Sequence, residues 1–195
     1  MAFKQYLERL IVFKAFGYDL EKERNFVLDK AMPIQGSILE IGTGKGHFTI
    51  ALAQKGYRFV TLDISEEEQK FARENIAHLG LERNVEFQVG NAEELDFQDQ
   101  SFDNVFAINL IHHLSNAFAV IDEMVRILSP EGKIVLSDFN KRGFKLIELI
   151  HRSEGRRHPK GNVDLDAVGE YCAQKGFSVE THETKLQKLL IVSRK

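Results

Sequence analysis

Phe3, Leu7, Leu10 and Phe13 recur at intervals of three and four, so the first segment reads as an amphipathic helix rich in aromatics. A second helix is predicted from near Leu20 to Met32, where Pro33 and Gly36 stop it. The period then changes. "SILEI" at Ser37 to Ile41 reads as a buried strand, glycines turn the chain, and "HFTIALAQKG" at His47 to Gly56 reads as a helix ended by glycine. The unit repeats with "RFVTLDI" as a strand and "SEEEQKFARENIAHLG" as a helix, Ser65 and Glu68 standing in capping-box spacing and Gly80 at the end. Strands "NVEFQV" and "FDNVFAINL", a helix from about Asn116 to Leu128, a turn at "SPEG" and the strand "KIVLSD" follow.

Strands alternating with helices of about ten residues or more imply parallel βα units with helices on both faces of the sheet. The tail breaks that rhythm: after a helix from about Asp164 to Lys175, "FSVETHET" and "LQKLLIVSRK" are separated only by the neighbourhood of Lys185. So short a connection permits only antiparallel pairing. The expected fold is therefore α/β and doubly wound, a mostly parallel seven-stranded sheet with a C-terminal antiparallel hairpin and N-terminal helices. A single domain is expected over 1–195, with 1–35 as a helical cap. The stretch 140–163, centred on "NKRGFKLIELIHRSEGRRHPKGN", has no place in a minimal α/β unit and is a candidate substrate-side insertion.

Composition narrows the class. At 195 residues, 43% apolar and 28% charged, the chain can bury one core and is short for two. A formal charge of -3 and a pI near 6.2 give no general attraction to nucleic acid or anionic membranes, so any such binding must be local. Cys172 is the only cysteine, which excludes an intrachain disulfide and a cysteine-based metal site and fits a reducing cytoplasm. "LIVF" at Leu10 to Phe13 is bracketed by Arg9 and Lys14, too short for the apolar region of a signal peptide. No run reaches the roughly 18 apolar residues of a membrane helix, and a soluble cytoplasmic protein is expected.

The candidate chemistry begins at "ILEIGTGKGHF". Glycines after a buried strand mark backbone pressed against a small molecule, because glycine reaches every φ/ψ region and has no side chain to collide with a ligand. A dinucleotide fingerprint needs its third glycine where His47 stands, and a phosphate loop needs a Gly-Lys-Ser/Thr that is missing. "EIGTGKG" instead resembles the first motif of class I methyltransferases that use S-adenosylmethionine. The resemblance extends from about Ser37 to Asp138, through Asp63 at the end of the second strand and "VGNAEELDFQDQSFDNVFAINLIHHL", and is to the small-molecule members of that family.

The resemblance implies S-adenosylmethionine as cofactor, held by Glu40, the loop Gly42, Thr43, Gly44 and Gly46, Asp63, Ile64, Asn91, Ala92 and Asn109. A carboxylate at Asp63 accepts hydrogen bonds from both ribose hydroxyls, although a plain helix-cap aspartate would look the same. Glu40 interrupts an apolar strand and needs a partner: the donor's ammonium and sulfonium charges, Lys45 or a backbone amine. Asn91 and Ala92 match positions that meet adenine; aspartate is common where Asn91 stands, and asparagine keeps an acceptor oxygen. An asparagine in a turn with Gly90 is the plain reading. Ile64 packs on adenine or belongs to the core.

Methyl transfer from a sulfonium is an in-line displacement with a neutral leaving thioether, so the enzyme aligns donor and acceptor and excludes water. No metal is expected. His112 and His113 follow the fourth strand and are the candidates for a base or a polar wall, since a histidine titrates near neutrality. Asn109, Asp138 and His151 are weaker candidates. The fourth strand lacks the Pro-Pro-aromatic of amine-methylating nucleic-acid enzymes, and Cys172 is not in a Pro-Cys loop, so small molecules lead as substrates and nucleic acid falls behind. Basic residues in the insertion, Lys141, Arg142, Lys145, Arg152, Arg156, Arg157 and Lys160, point to an anionic acceptor or to a solvated loop. An RNA- or protein-directed methyltransferase and a non-catalytic cofactor-binding regulator are the alternatives. The sequence leaves the oligomeric state open.

Overall fold

The computed structural model describes residues 2–155 and 161–195. Seven strands, β1 (Ile38–Ile41), β2 (Phe59–Asp63), β3 (Val85–Val89), β4 (Phe102–Ile108), β5 (Leu128–Phe139), β6 (Ser178–Glu183) and β7 (Gln187–Ser193), form one sheet in the order β3-β2-β1-β4-β5-β7-β6. β1 pairs parallel with β2 and β4, whereas β7 runs antiparallel to both β5 and β6. The expected edge hairpin is present. Progress across the sheet reverses between β1 and β4, which opens a crevice at their carboxyl ends.

Two apolar cores follow from the period of two along each strand. Leu39 and Ile41, Val105 and Ala107, and Ile134 and Leu136 face one side, under α5 (Ala117–Ile127) and α7 (Leu165–Gln174). Ile38, Phe106, Ile108 and Val135 face the other, under α2 (Leu20–Lys30), α3 (His47–Gln54) and α4 (Glu66–His78). Each fully buried Leu, Ile or Phe contributes about 1.5–3 kcal/mol of transfer free energy, so the faces cannot exchange cheaply. Side-chain oxygens cap these helices: Ser65 accepts from Glu68 N, Asn116 from Ala119 N and Asp164 from Ala167 N.

A third apolar cluster lies over the carboxyl end of β5. There Phe13 of α1 (Ala2–Ala15), Tyr18 and Leu20 meet Phe139, Leu186 and two residues of α6 (Lys141–Ser153), Ile147 and Ile150. N-terminal helices and insertion thus roof the crevice together. "SPEG" departs from expectation. β5 continues through it from Leu128, with a register shift between Phe102 and Asn104, and Asp103 bridges the irregularity by accepting from Ser129 Oγ and Ser37 N. No helix among the described residues is long and apolar enough to cross a membrane.

Candidate active site

The glycine loop joins β1 to α3 directly above the crevice. Gly42 and Thr43 donate their N–H groups to Leu62 O at 2.8 and 3.2 Å, which ties the loop to the neighbouring strand. Gly44 has φ +49°, and a Cβ built there would meet no atom within 4 Å, so the crest of the loop borders open space. Gly46 serves packing instead: a Cβ would come within 2.9 Å of Ala72 Cβ. Asp63 supports the crest from β2. Its Oδ2 accepts from Gly44 N at 2.7 Å and its Oδ1 from Ser65 N at 2.9 Å. The predicted capping box is therefore half replaced, with Asp63 rather than Glu68 receiving the Ser65 amide. Each oxygen retains acceptor capacity for a hydroxyl donor.

Glu40 is 1% exposed, and its Oε2 accepts from Thr49 Oγ1 at 2.7 Å and Thr61 Oγ1 at 2.8 Å. Those hydroxyls, and not Lys45, are its partners; the Lys45 ammonium lies over the Phe71 ring, 5.4 Å from its centroid. Thr43 extends the network by a 2.7 Å contact with Thr61 Oγ1 and by accepting from Gln69 Nε2. Burial pushes the Glu40 carboxyl up to about 7, against the two threonine hydrogen bonds that favour the charged form.

Past β4, the chain turns through Asn109 at φ +56°, a left-handed conformation that asparagine tolerates. Gln187 Nε2 holds it, donating to Asn109 Oδ1 at 3.0 Å and also to Tyr18 Oη, while Ser137 Oγ donates to Gln187 Oε1. A short 3₁₀ turn, Ile111–His113, follows. His112 is 1% exposed, and its Nδ1 lies 2.6 Å from Asp138 Oδ1. Asp138 Oδ2 accepts the His112 backbone N–H at 3.1 Å. With Nδ1–H given to a carboxylate, Nε2 becomes the basic atom of the ring. The His113 ring lies 4.0 Å from the His112 ring, tilted by 44°, and is more open to solvent. Desolvation in the cavity wall, with His112 adding to it and Asp138 opposing, lowers His113 to about 4.

One cavity of about 440 Å³ is bordered by all these groups: Glu40, Gly42, Thr43, Gly44, Asp63 and Ile64 of the loop side, and Asn109, His112 and His113 beyond β4. Arg9, Phe13, Tyr18 and Arg24 from the N-terminal helices and Ile147 and His151 from α6 complete it. Arg9 links the two covering segments, donating to Glu154 Oε1 at 3.1 Å and lying 3.3 Å from His151 Nε2. Gly161 N donates to His112 O at 2.7 Å, which brings the far end of the insertion back to the histidines.

Residues 35–178 match the family described as methyltransferase domain. The chain belongs to this family. The chain is 35% identical over 142 residues to norajmaline N-methyltransferase of Rauvolfia serpentina, a match covering 72% of this chain and 49% of that protein. The crystal structure of the PH0226 protein from Pyrococcus horikoshii OT3 superposes with a TM-score of 0.72 at 27% identity, covering 97% of this chain and 91% of the other. That of a SAM-dependent methyltransferase from Aquifex aeolicus gives 0.67 at 22% identity, covering 87% and 88%. Matches to curated relatives span only 38% to 49% of those proteins' lengths.

Within the methyltransferase domain, ten expected site residues fall into two groups beside the histidine pair. Seven border the cavity, as given above, and Gly46, Asn91 and Ala92 do not. Asn91 is exposed and its Oδ1 accepts from Glu93 N at 3.0 Å, the local turn contact that the plain reading anticipates; Ala92 packs against the α5 core. Ile64 is 72% exposed, which removes the core reading of that residue. Among the insertion's basic residues, Arg152 pairs with Glu148 at 2.7 Å and Lys141, Arg142 and Lys145 are exposed and away from the cavity. The expected anion ligands Arg156, Arg157 and Lys160 lie outside the described residues. Cys172 is buried in the α7 core, where desolvation pushes its thiol up to about 11.

Sequence reasoning overlooked Arg9, Arg24, Tyr18 and Gln187, and gave Asp138 no partner. The polar positions Thr49 and Thr61, each set in an apolar run, were the signal for where Glu40 would bond. Nothing local marks Arg24.

Proposed function

We propose that this domain transfers a methyl group from S-adenosylmethionine to a small, anionic acceptor by in-line displacement. One observation carries the reading: Gly42, Gly44 and Asp63 border the same cavity as His112, whose ring Asp138 holds, so donor and acceptor would share one space. Asp63 takes the ribose hydroxyls and Glu40 the donor's ammonium. Gly42, Thr43 and Gly44 line its path, exposed Ile64 covers one adenine face and Asn109 borders the methyl; Asn91 and Ala92, outside the cavity but joined to Asp63 through Gly90 N, would meet the adenine edge. When bound, the donor supplies a methyl on a positively charged sulfur with a neutral leaving group.

The chain's own work is then alignment, exclusion of water and proton removal. His112 accepts the acceptor's proton at Nε2, while Asp138 fixes the tautomer and offsets the imidazolium charge that forms. His113, neutral at pH 7, acts as polar wall or assisting acceptor. One domain fills 1–195, with 1–35 as cap and 140–163 as the acceptor-side element, from which Ile147 and His151 reach the cavity. The anionic character of the acceptor rests on the sequence of that insertion. A cytoplasmic setting rests on the single cysteine, which cannot form an intrachain disulfide.

Incubating the protein with labelled methyl donor and separate metabolite, RNA and protein fractions tests this reading. Label in an anionic small molecule is the expected result. Label confined to RNA or protein would replace it with a macromolecule-directed activity, and donor binding without transfer to any fraction would favour a regulator.

A further inference from the structure

Arg24 stands on α2, upstream of the stretch that matches the family, and is 6% exposed. Its Nε and Nη1 are buried with no hydrogen-bond partner among the described residues. The acids whose charge it feels are engaged elsewhere: Glu40 Oε2 with Thr49 and Thr61, Glu23 Oε2 with Thr184 Oγ1 at 2.8 Å. A buried guanidinium in that condition is costly until an anion meets it, and its planar fork is matched by a carboxylate in two parallel hydrogen bonds. Arg24 also borders the cavity beside Glu40, Gly44 and His47, whose buried Nδ1 likewise has no partner among the described residues.

We propose that Arg24 binds the carboxylate at the amino-acid end of the methyl donor while Glu40 receives the ammonium of the same group. The inference deepens the donor reading above and rests on it. An α-amino acid carries both charges on one carbon, and a buried cation and a buried acid on one wall are complementary to that pair. A carboxylate on the acceptor has the same chemistry. The donor is favoured because Glu40 and the glycine loop share the wall with Arg24, whereas the histidines of the transfer chemistry follow β4. The N-terminal helices are on this account part of the cofactor site: α2 carries the anchor that the α/β core lacks.

Calorimetry with S-adenosylhomocysteine and with its analogue lacking the carboxylate, on wild type, Arg24→Gln and Arg24→Lys, tests the assignment. Wild type should bind the complete ligand at least about tenfold more tightly than the analogue, and Arg24→Gln should reduce that preference to about twofold or less by weakening only the complete ligand. Arg24→Lys should recover part of the preference, since it keeps the charge without the fork. The wild-type comparison stands even where a variant folds poorly: equal affinity for the two ligands overturns the proposal. So does an Arg24→Gln variant whose preference is unchanged, the outcome expected if the carboxylate belongs to the acceptor. Failure of S-adenosylhomocysteine to bind wild type at all would overturn the donor reading itself, and Arg24's role with it.

Discussion

His112 and Asp138, on different strand ends and 26 positions apart, are joined twice: ring Nδ1 to Oδ1 at 2.6 Å and backbone N–H to Oδ2 at 3.1 Å. Asp138 Oδ1 also accepts Phe139 N at 2.8 Å. The carboxylate therefore fixes both the ring's tautomer and the path of the turn that carries it.

Two substitutions separate those duties. His112→Ala should lower kcat/KM by about 10²–10⁴-fold with donor affinity near wild type, the range for loss of a positioned base. Asp138→Asn should impair turnover and also cost about 1–3 kcal/mol of stability, because backbone donors lose a charged acceptor. Steady-state kinetics beside urea melts would check this; full turnover in His112→Ala would remove the base assignment.

Glu40 gives stability a distinct pH dependence. Its folded value is about 7 against an ordinary 4.5, so the folded state holds a proton that the unfolded chain has lost between those values. The contribution is complete below pH 4.5 and is lost as pH rises through about 7, by up to roughly 3 kcal/mol. Glu40→Gln should lack that decline. Parallel denaturation profiles for the two proteins across this window would contradict the assignment. Donor affinity should move the opposite way, rising with pH as the carboxylate forms opposite a cationic ligand.

For His113 the direction reverses. Its value is depressed to about 4, so the neutral ring persists where an unfolded histidine, at 6.5, has already charged, and the associated stability is lost as pH falls through about 4. Solvent at this open position screens the effect and keeps the energetic contribution small. Proton NMR should show the His113 ring unprotonated at pH 5.5, about one unit below the ordinary histidine value. A midpoint near 6.5 would show that cavity desolvation does not act on it.

At the loop, Gly44→Val should abolish S-adenosylhomocysteine binding: it puts branched carbons into the open space at the crest and strains a backbone at φ +49°. Asp63→Ala should weaken binding by about 1–3 kcal/mol, through the ribose and through release of the Gly44 amide. Calorimetry that found Gly44→Val binding normally would place the ligand elsewhere.

Much of the fold was readable because its determinants are local. Apolar spacing marked all seven strands and six of the seven α-helices among the described residues, while α6 was read only as an insertion; the loop's glycines with Asp63 marked one wall of the cavity. "SPEG" was misread as a turn since a Pro-Gly signal records backbone preference, while the pairing of Leu128 with Phe102 that keeps the segment in the sheet is made across sequence.

By itself, then, the sequence determined the order of the strands, the antiparallel edge and the family's glycine loop, all governed by neighbours within a few residues. Only the tertiary structure decided that Thr49 and Thr61 receive Glu40, that Asp63 and not Glu68 takes the Ser65 amide, that Asp138 meets His112, and that Arg24 and Arg9 border the cavity. Most of these contacts join residues on different strands and helices, and the Ser65 amide is shared with a carboxylate that also holds the distant loop. A buried charge or hydroxyl takes whichever partner the packed elements bring within about 3 Å, and that distance is set by the whole sheet rather than by the residue's own stretch of chain.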